Sequence, residues 1–209
     1  LKDYIFKLGV EKHNIKGKKN KIKVKKLAPG QKEIFLDEII SHLLKKEEFV
    51  KKALKGKIKD DDILISKDNH VIDGHHRWAS AFILNPDCKL KCTKINLELK
   101  KAIPIFNELL KDIKSNGQQQ SGNYRYDIFK LINLSKNDLK NAIVDIFKKH
   151  DKKEVNKFLE SIKEKSGEVH PINYIIHNIY MIPDPKHHLT DRKEMPQLSD
   201  DEIDEILKG

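Results

Sequence analysis

The sequence predicts a mixed α/β (α+β) fold: a small unit of alternating strands and helices, followed by a mainly helical C-terminal region. Three observations carry this. "DDILIS" and "HVID" are short apolar runs on either side of the polar turn "KDN", the pattern of a β-hairpin. Between them and residue 30, Ile34, Phe35, Ile39, Ile40, Leu43, Leu44, Phe49, Val50 and Leu54 form one broad helical stripe. From about residue 100 the periodicity is helical throughout, and the polar stretch "GQQQSGNYR" marks the best domain boundary.

Residues 11–26, "EKHNIKGKKNKIKVKK", hold eight lysines. Ile22 and Val24 alternate with lysine at period two, which reads as a short strand after a basic arm. Pro29-Gly30 is a turn, and Gly56 closes the long helix. The 63–73 hairpin feeds a helix over 75–84, ended by Asn85-Pro86. "KLKCTKINLEL" is a further strand, and "KAIPIFNELLKDIKSN" a helix with Pro104 near its first turn. Helices are expected near 124–133, 135–149, 151–165 and 171–180, the second capped at Ser135. The organisation is therefore a basic arm (1–19), an α/β domain (20–115), a linker (116–123), a helical region (124–182), and an extended tail with a short acidic helix (183–209).

The 209 residues are 38% hydrophobic and 35% charged, with a formal net charge of +10 and a pI near 9.3. Such a balance admits polyanionic partners. Lysine far outnumbers arginine, which argues for charge rather than bidentate phosphate reading. Any nucleic-acid contact is expected from Lys16, Lys18, Lys19, Lys21, Lys23, Lys25 and Lys26; the alternative is a solvated tail. No long apolar run spans a membrane, and no signal peptide is visible, although the chain starts at Leu1 without a Met. Cys88 and Cys92 stand C-x3-C with no second pair, which suits reduced thiols of a cytoplasmic protein rather than a zinc or redox site.

The stretch "VIDGHHRWAS" places its polar chemistry where a strand hands over to a helix. Asp73-Gly74 supplies the sharp turn. The amides of Gly74, His75 and His76 then sit at a helix N-terminus, where free donors and a partial positive charge suit an oxyanion or phosphate. Arg77 adds a bidentate contact, and His75 and His76 add donors or proton-transfer groups. Adjacent histidines diverge on a helix, so zinc ligation is disfavoured. Asp73 offsets part of the positive charge or orients a histidine. Gln31 and Glu33 follow the Pro29-Gly30 turn; a carboxylate there acts as a base, pairs with Arg77 or a histidine, or simply caps a helix. Trp78 reads as a core anchor beside Ala79, Ala81 and Phe82, and Asp68 and Asn69 read as turn residues.

"IDGHHRWAS" after the "ILIS-KDN" hairpin, with "P-G-Q-x-E" upstream, resembles the ParB/sulfiredoxin superfamily, especially the ParB-like nuclease-domain proteins of bacteria and bacteriophages. The resemblance covers roughly residues 20–110. It implies a small mixed-sheet α/β domain whose turn, here Gly74, His75, His76 and Arg77 with Gln31 nearby, binds the phosphates of a nucleotide. ATP or ADP with Mg²⁺ is the expected cofactor. His75 stands where sulfiredoxins carry their nucleophilic cysteine, so sulfinic acid reduction is excluded. ParB proteins proper carry an arginine-rich turn and a following helix-turn-helix; here the turn is His-rich, and the helical C-terminal half shows no convincing recognition helix. The turn is most similar to that of the archaeal free-serine kinases, in which a carboxylate near the first helix takes the substrate proton. Glu33 or Asp73 is implied for that role, with His76 in proton transfer. The expected function is an ATPase or small-molecule phosphotransferase. The alternatives are a DNA-binding or DNA-cleaving protein and a non-catalytic phage accessory protein.

Overall fold

The computed structural model describes residues 12–110, 125–183 and 195. Residues 1–11 of the basic arm, the 116–123 linker and all of the tail beyond 183 except Met195 lie outside them. The N-terminal half holds four strands: β1 (Gly17–Lys23), β2 (Lys57–Ile65), β3 (Val71–Asp73) and β4 (Lys89–Ile95). Their order is β1-β4-β2-β3. β4 runs antiparallel to β1 and parallel to β2, and β2 pairs antiparallel with β3. A parallel bridge between Ala28 and His70 adds a fifth segment beside β3. The fold class is therefore mixed α/β, as expected from the sequence.

Helices α1 (Leu36–Lys45), α2 (Glu47–Leu54), α3 (His75–Leu84) and α4 (Leu99–Leu110) belong to this half. Beyond them come α5 (Ile128–Leu131), α6 (Lys136–Phe147), α7 (Lys152–Ser166) and α8 (Pro171–Tyr180). Ser135, Asp151 and His170 each accept backbone N–H groups at the start of their helices, which fixes three of these boundaries.

The sheet divides the core in two. On one face, Ile58, Ile63, Ile65, Leu90 and Cys92 pack against α1–α3 and the C-terminal helices in one continuous cluster. Trp78 is its centre: fully buried, edge-on to Phe82 at 5.7 Å, with its indole N–H donating to the Val24 carbonyl. The C-terminal helices share this core. Asn178 on α8 donates to the Ile83 carbonyl, and the Tyr174 hydroxyl donates to that of Leu84. On the other face, α4 covers Leu64, Ile72 and Ile95 through Leu99, Ala102, Ile103, Phe106 and Leu109.

Four elements differ from expectation. The helix expected near 124–133 is the single turn of α5, Ile128–Leu131, because Asp127 bridges Phe35 before it. The long helix over 34–54 is two helices, with Lys46 extended between them (φ −119, ψ 65). A single helix would present residues 46 and 47 to the core, and these are Lys46 and Glu47; the break keeps both out while Phe49, Val50 and Ala53 bury again. Strand β1 reaches back to Gly17, so Lys18 and Lys19 lie in a strand rather than an arm, while Val24 opens a short 3-10 turn. Pro104 is the sixth residue of α4, not part of its first turn, and leaves the Lys100 carbonyl without its helical donor.

Two predictions follow from this packing. Asn85 donates to the carbonyls of Ala53 and Leu54 at the end of α2 and accepts the Asp87 amide. Asn85→Ala is expected to lower stability in urea unfolding by about 1–3 kcal/mol, the cost of buried groups left unpaired. Cys88 and Cys92 are buried and unbridged, and burial pushes the Cys88 thiol up to about 11. At pH 8 a thiol reagent should therefore label Cys88 only on unfolding, read by mass spectrometry with and without denaturant.

Candidate functional site: the turn from β3 into α3

Strand β3 ends at Asp73 and α3 begins at His75, with Gly74 between them in the left-handed region (φ 92, ψ 29). A side chain at Gly74 is excluded twice. It would need that backbone conformation, and its Cβ would lie 2.6 Å from Ile63 Cγ2. The same Cβ would lie 3.1 Å from Arg77 Nη2, so the guanidinium folds over the turn. The start of α3 has no side-chain cap hydrogen bond and no acidic residue in its first turn.

The two histidines have separate environments. His75 is only 5% exposed, and its Nε2 accepts the Gly30 amide at 3.0 Å. Acceptance at Nε2 places the ring proton on Nδ1, so this ring is neutral. Its partner turn is pressed against β3: a Cβ on Gly30 would stand 2.1 Å from the Val71 carbonyl oxygen. His76 is partly exposed, its side chain 24% accessible, but its Nε2 is buried 3.0 Å from the equally buried Glu38 Oε2 in the first turn of α1. Arg77 Nη2 lies 3.4 Å from Asp73 Oδ2 one turn away.

Expected site residues thus gather in part. Gly74, His75, His76, Arg77 and Asp73 form the turn. Asp73 meets Arg77, so Arg77 rather than a histidine is its partner. Gln31 is buried, and its amide donates to the Glu33 carbonyl at 2.7 Å, which turns it into the loop. Glu33 is not in a helical first turn; α1 starts at Leu36, after Ile34 and Phe35 pair with the 126–128 segment. Burial, and in smaller part the Glu33 charge, raise the Asp127 carboxyl, which places Glu33 within electrostatic reach of that segment. Asp68 and Asn69 are turn residues: Asn69 has φ 64, and Asp68 accepts the Leu99 amide.

Glu38 is the residue that sequence reading missed. Its signal was available: an acid on the border of the buried α1 stripe, between Leu36 and Ile39. Electrostatically the turn is not strongly positive, since Arg77 and His76 each stand beside one carboxylate. Among the described residues, no three His, Cys, Asp or Glu side chains converge as a metal-binding group. A separate groove of about 340 Å³ between α1, α2 and α7, lined by Leu43, Val50 and Phe158, includes no residue of the turn. No protein-family model matches the chain, and no curated protein or solved structure matches it significantly.

The separate roles predict separate losses in urea unfolding. His75→Leu strands the buried Gly30 amide and should cost about 1–3 kcal/mol. Gly30→Ala overpacks the contact with Val71 and should cost a similar amount, about 1–3 kcal/mol. His76→Ala removes only a partly exposed pair and should stay within about 1 kcal/mol of the parent.

Proposed function

We propose that the Asp73–Arg77 turn binds the phosphates of a nucleotide, ATP or ADP, and that the protein is an ATPase or small-molecule phosphotransferase. The observation that carries this reading is the start of α3: an uncapped helix end, closed by a left-handed glycine, with the Arg77 guanidinium folded over it. Backbone donors and a partial positive charge at such an end favour phosphate oxygens. The resemblance of "DGHHR" to phosphate-binding turns supports the same reading.

The residues present fit a nucleotide phosphate. Arg77 exchanges the long contact to Asp73 for a shorter, charge-assisted one to phosphate. Asp73, released, would hold Mg²⁺, an ion usually bound by one or two carboxylates and the phosphates themselves. When bound, Mg²⁺ would offset phosphate charge. His76 with Glu38 is the proton-handling pair, because carboxylate and imidazole already lie 3.0 Å apart on two different helices. Glu38 takes the role expected for Glu33 or Asp73.

Calorimetry with ATP, ADP, CTP and GTP, with and without Mg²⁺, tests the reading. Arg77→Ala is expected to weaken nucleotide binding by about 1.5–3 kcal/mol, the worth of a hydrogen bond to a charged group, with an unchanged melting temperature. His76→Ala and Glu38→Gln are expected to lower turnover more than affinity. Equal affinity in parent and Arg77→Ala, or no binding by the parent at millimolar nucleotide, would overturn it.

A further inference from the structure

We propose that the half of the sheet face left open by α4 is a docking surface for duplex nucleic acid, independent of the turn. The pleat sorts the basic segment into two sides. Ile22 packs toward the large core and stands opposite Leu90, so Lys18 and Asn20 share that side. Lys19, Lys21 and Lys23 project from the other face, where Lys21 stands opposite Lys91 and Lys23 opposite Lys89. Lys89 in turn stands opposite Lys57 on β2, while the neighbouring pair Ile58 and Leu90 points into the core. Six lysines of three adjacent strands therefore share one side of the sheet.

Helix α4 covers only the far part of that side, over Leu64, Ile72 and Ile95. Lys19, Lys21, Lys57 and Lys89 are exposed and Lys23 and Lys91 half-buried. Asp87 pairs with Lys23, and with Lys25 of the 3-10 turn. Lys21, Lys57, Lys89 and Lys91 have no ion pair among the described residues. On β2, Asp62 stands directly opposite Lys91, so one acidic position shares this side of the sheet where the patch meets the part covered by α4.

Like charges placed directly opposite across a strand pair oppose folding. Three such pairs, Lys21–Lys91, Lys23–Lys89 and Lys57–Lys89, stand side by side here. A polyanion relieves them together. The strands present charges at about 5 Å across the sheet and about 7 Å along it, on stems long enough to follow a phosphate backbone. Among the described residues the large exposed apolar side chains are Leu134, Val169, Tyr180 and Met181; none of them is on this face, which disfavours insertion into a lipid surface. Among the described residues it carries no aromatic ring for base stacking and no arginine for base edges, which favours duplex over single strands and argues against sequence readout.

The test uses the whole chain and a fluorescently labelled 20-base-pair duplex across a salt series. One triple variant neutralises the patch, Lys21→Gln, Lys89→Gln and Lys91→Gln. A control removes the same charge from exposed helical sites, Lys140→Gln, Lys152→Gln and Lys165→Gln. The patch variant should bind at least about tenfold more weakly at low salt, with the log–log salt slope reduced by about two to three. It should melt no lower than the parent, since like-charge pairs are removed, and its nucleotide affinity should be unchanged. The control should bind DNA within about threefold of the parent. Equal losses in both variants would reduce the effect to net charge and overturn the proposal. So would no loss in either, tighter binding of the single strand, or binding to phosphatidylserine vesicles but not to the duplex.

Discussion

The bond from the Gly30 amide to His75 Nε2 is the contact on which the rest of the site depends. It joins the loop entering α1 to the first residue of α3, two segments 45 positions apart. Because Gly30 has no side chain, the loop can lie on the Val71 carbonyl. Once it lies there, α1 starts where Glu38 reaches His76. A histidine is suited to this position because it offers a buried acceptor without a permanent charge. A lysine or arginine there would be a buried charge with no acceptor to give.

The "HH" pair therefore divides its labour. One ring builds the turn and the other, partly exposed, turns its Nε2 toward a carboxylate. A charge-balanced turn has a consequence for binding. An anion arriving at α3 gains Arg77 only by displacing Asp73, so affinity reflects a difference between two contacts. The 3.4 Å separation is long for a charge-assisted bond, which keeps that exchange inexpensive in free energy.

Much of this was legible in the sequence where local rules and tertiary packing agree. The Asp-Gly turn, the 75–84 helix and the Trp78 anchor emerged from glycine chemistry and apolar spacing, and Ser135 from capping chemistry. The division of the 34–54 helix was not, because no Gly or Pro marks Lys46; the break follows from keeping two polar residues out of the core. Glu38 was missed because its border position on the α1 stripe was legible but its partner, 38 residues away, was not. The lysine face was partly visible as a run of charge. Its sorting into two sides needed the register with β4, which places Lys89 and Lys91 beside Lys21 and Lys23.

Sheet and turn are thus two proposed sites of different physics: dispersed point charges on a pleated surface, and oriented amides at one helix end. The central claim concerns the second, with His75 holding the turn and the turn receiving phosphate. Its most direct test is an amide and imidazole ¹⁵N NMR titration with ADP and Mg²⁺. The account predicts saturable shifts of the Gly74, His76 and Arg77 amides, while the His75 ring stays neutral with its proton on Nδ1 throughout. Shifts confined to residues outside 73–77, or a His75 ring that changes protonation on binding, would contradict it.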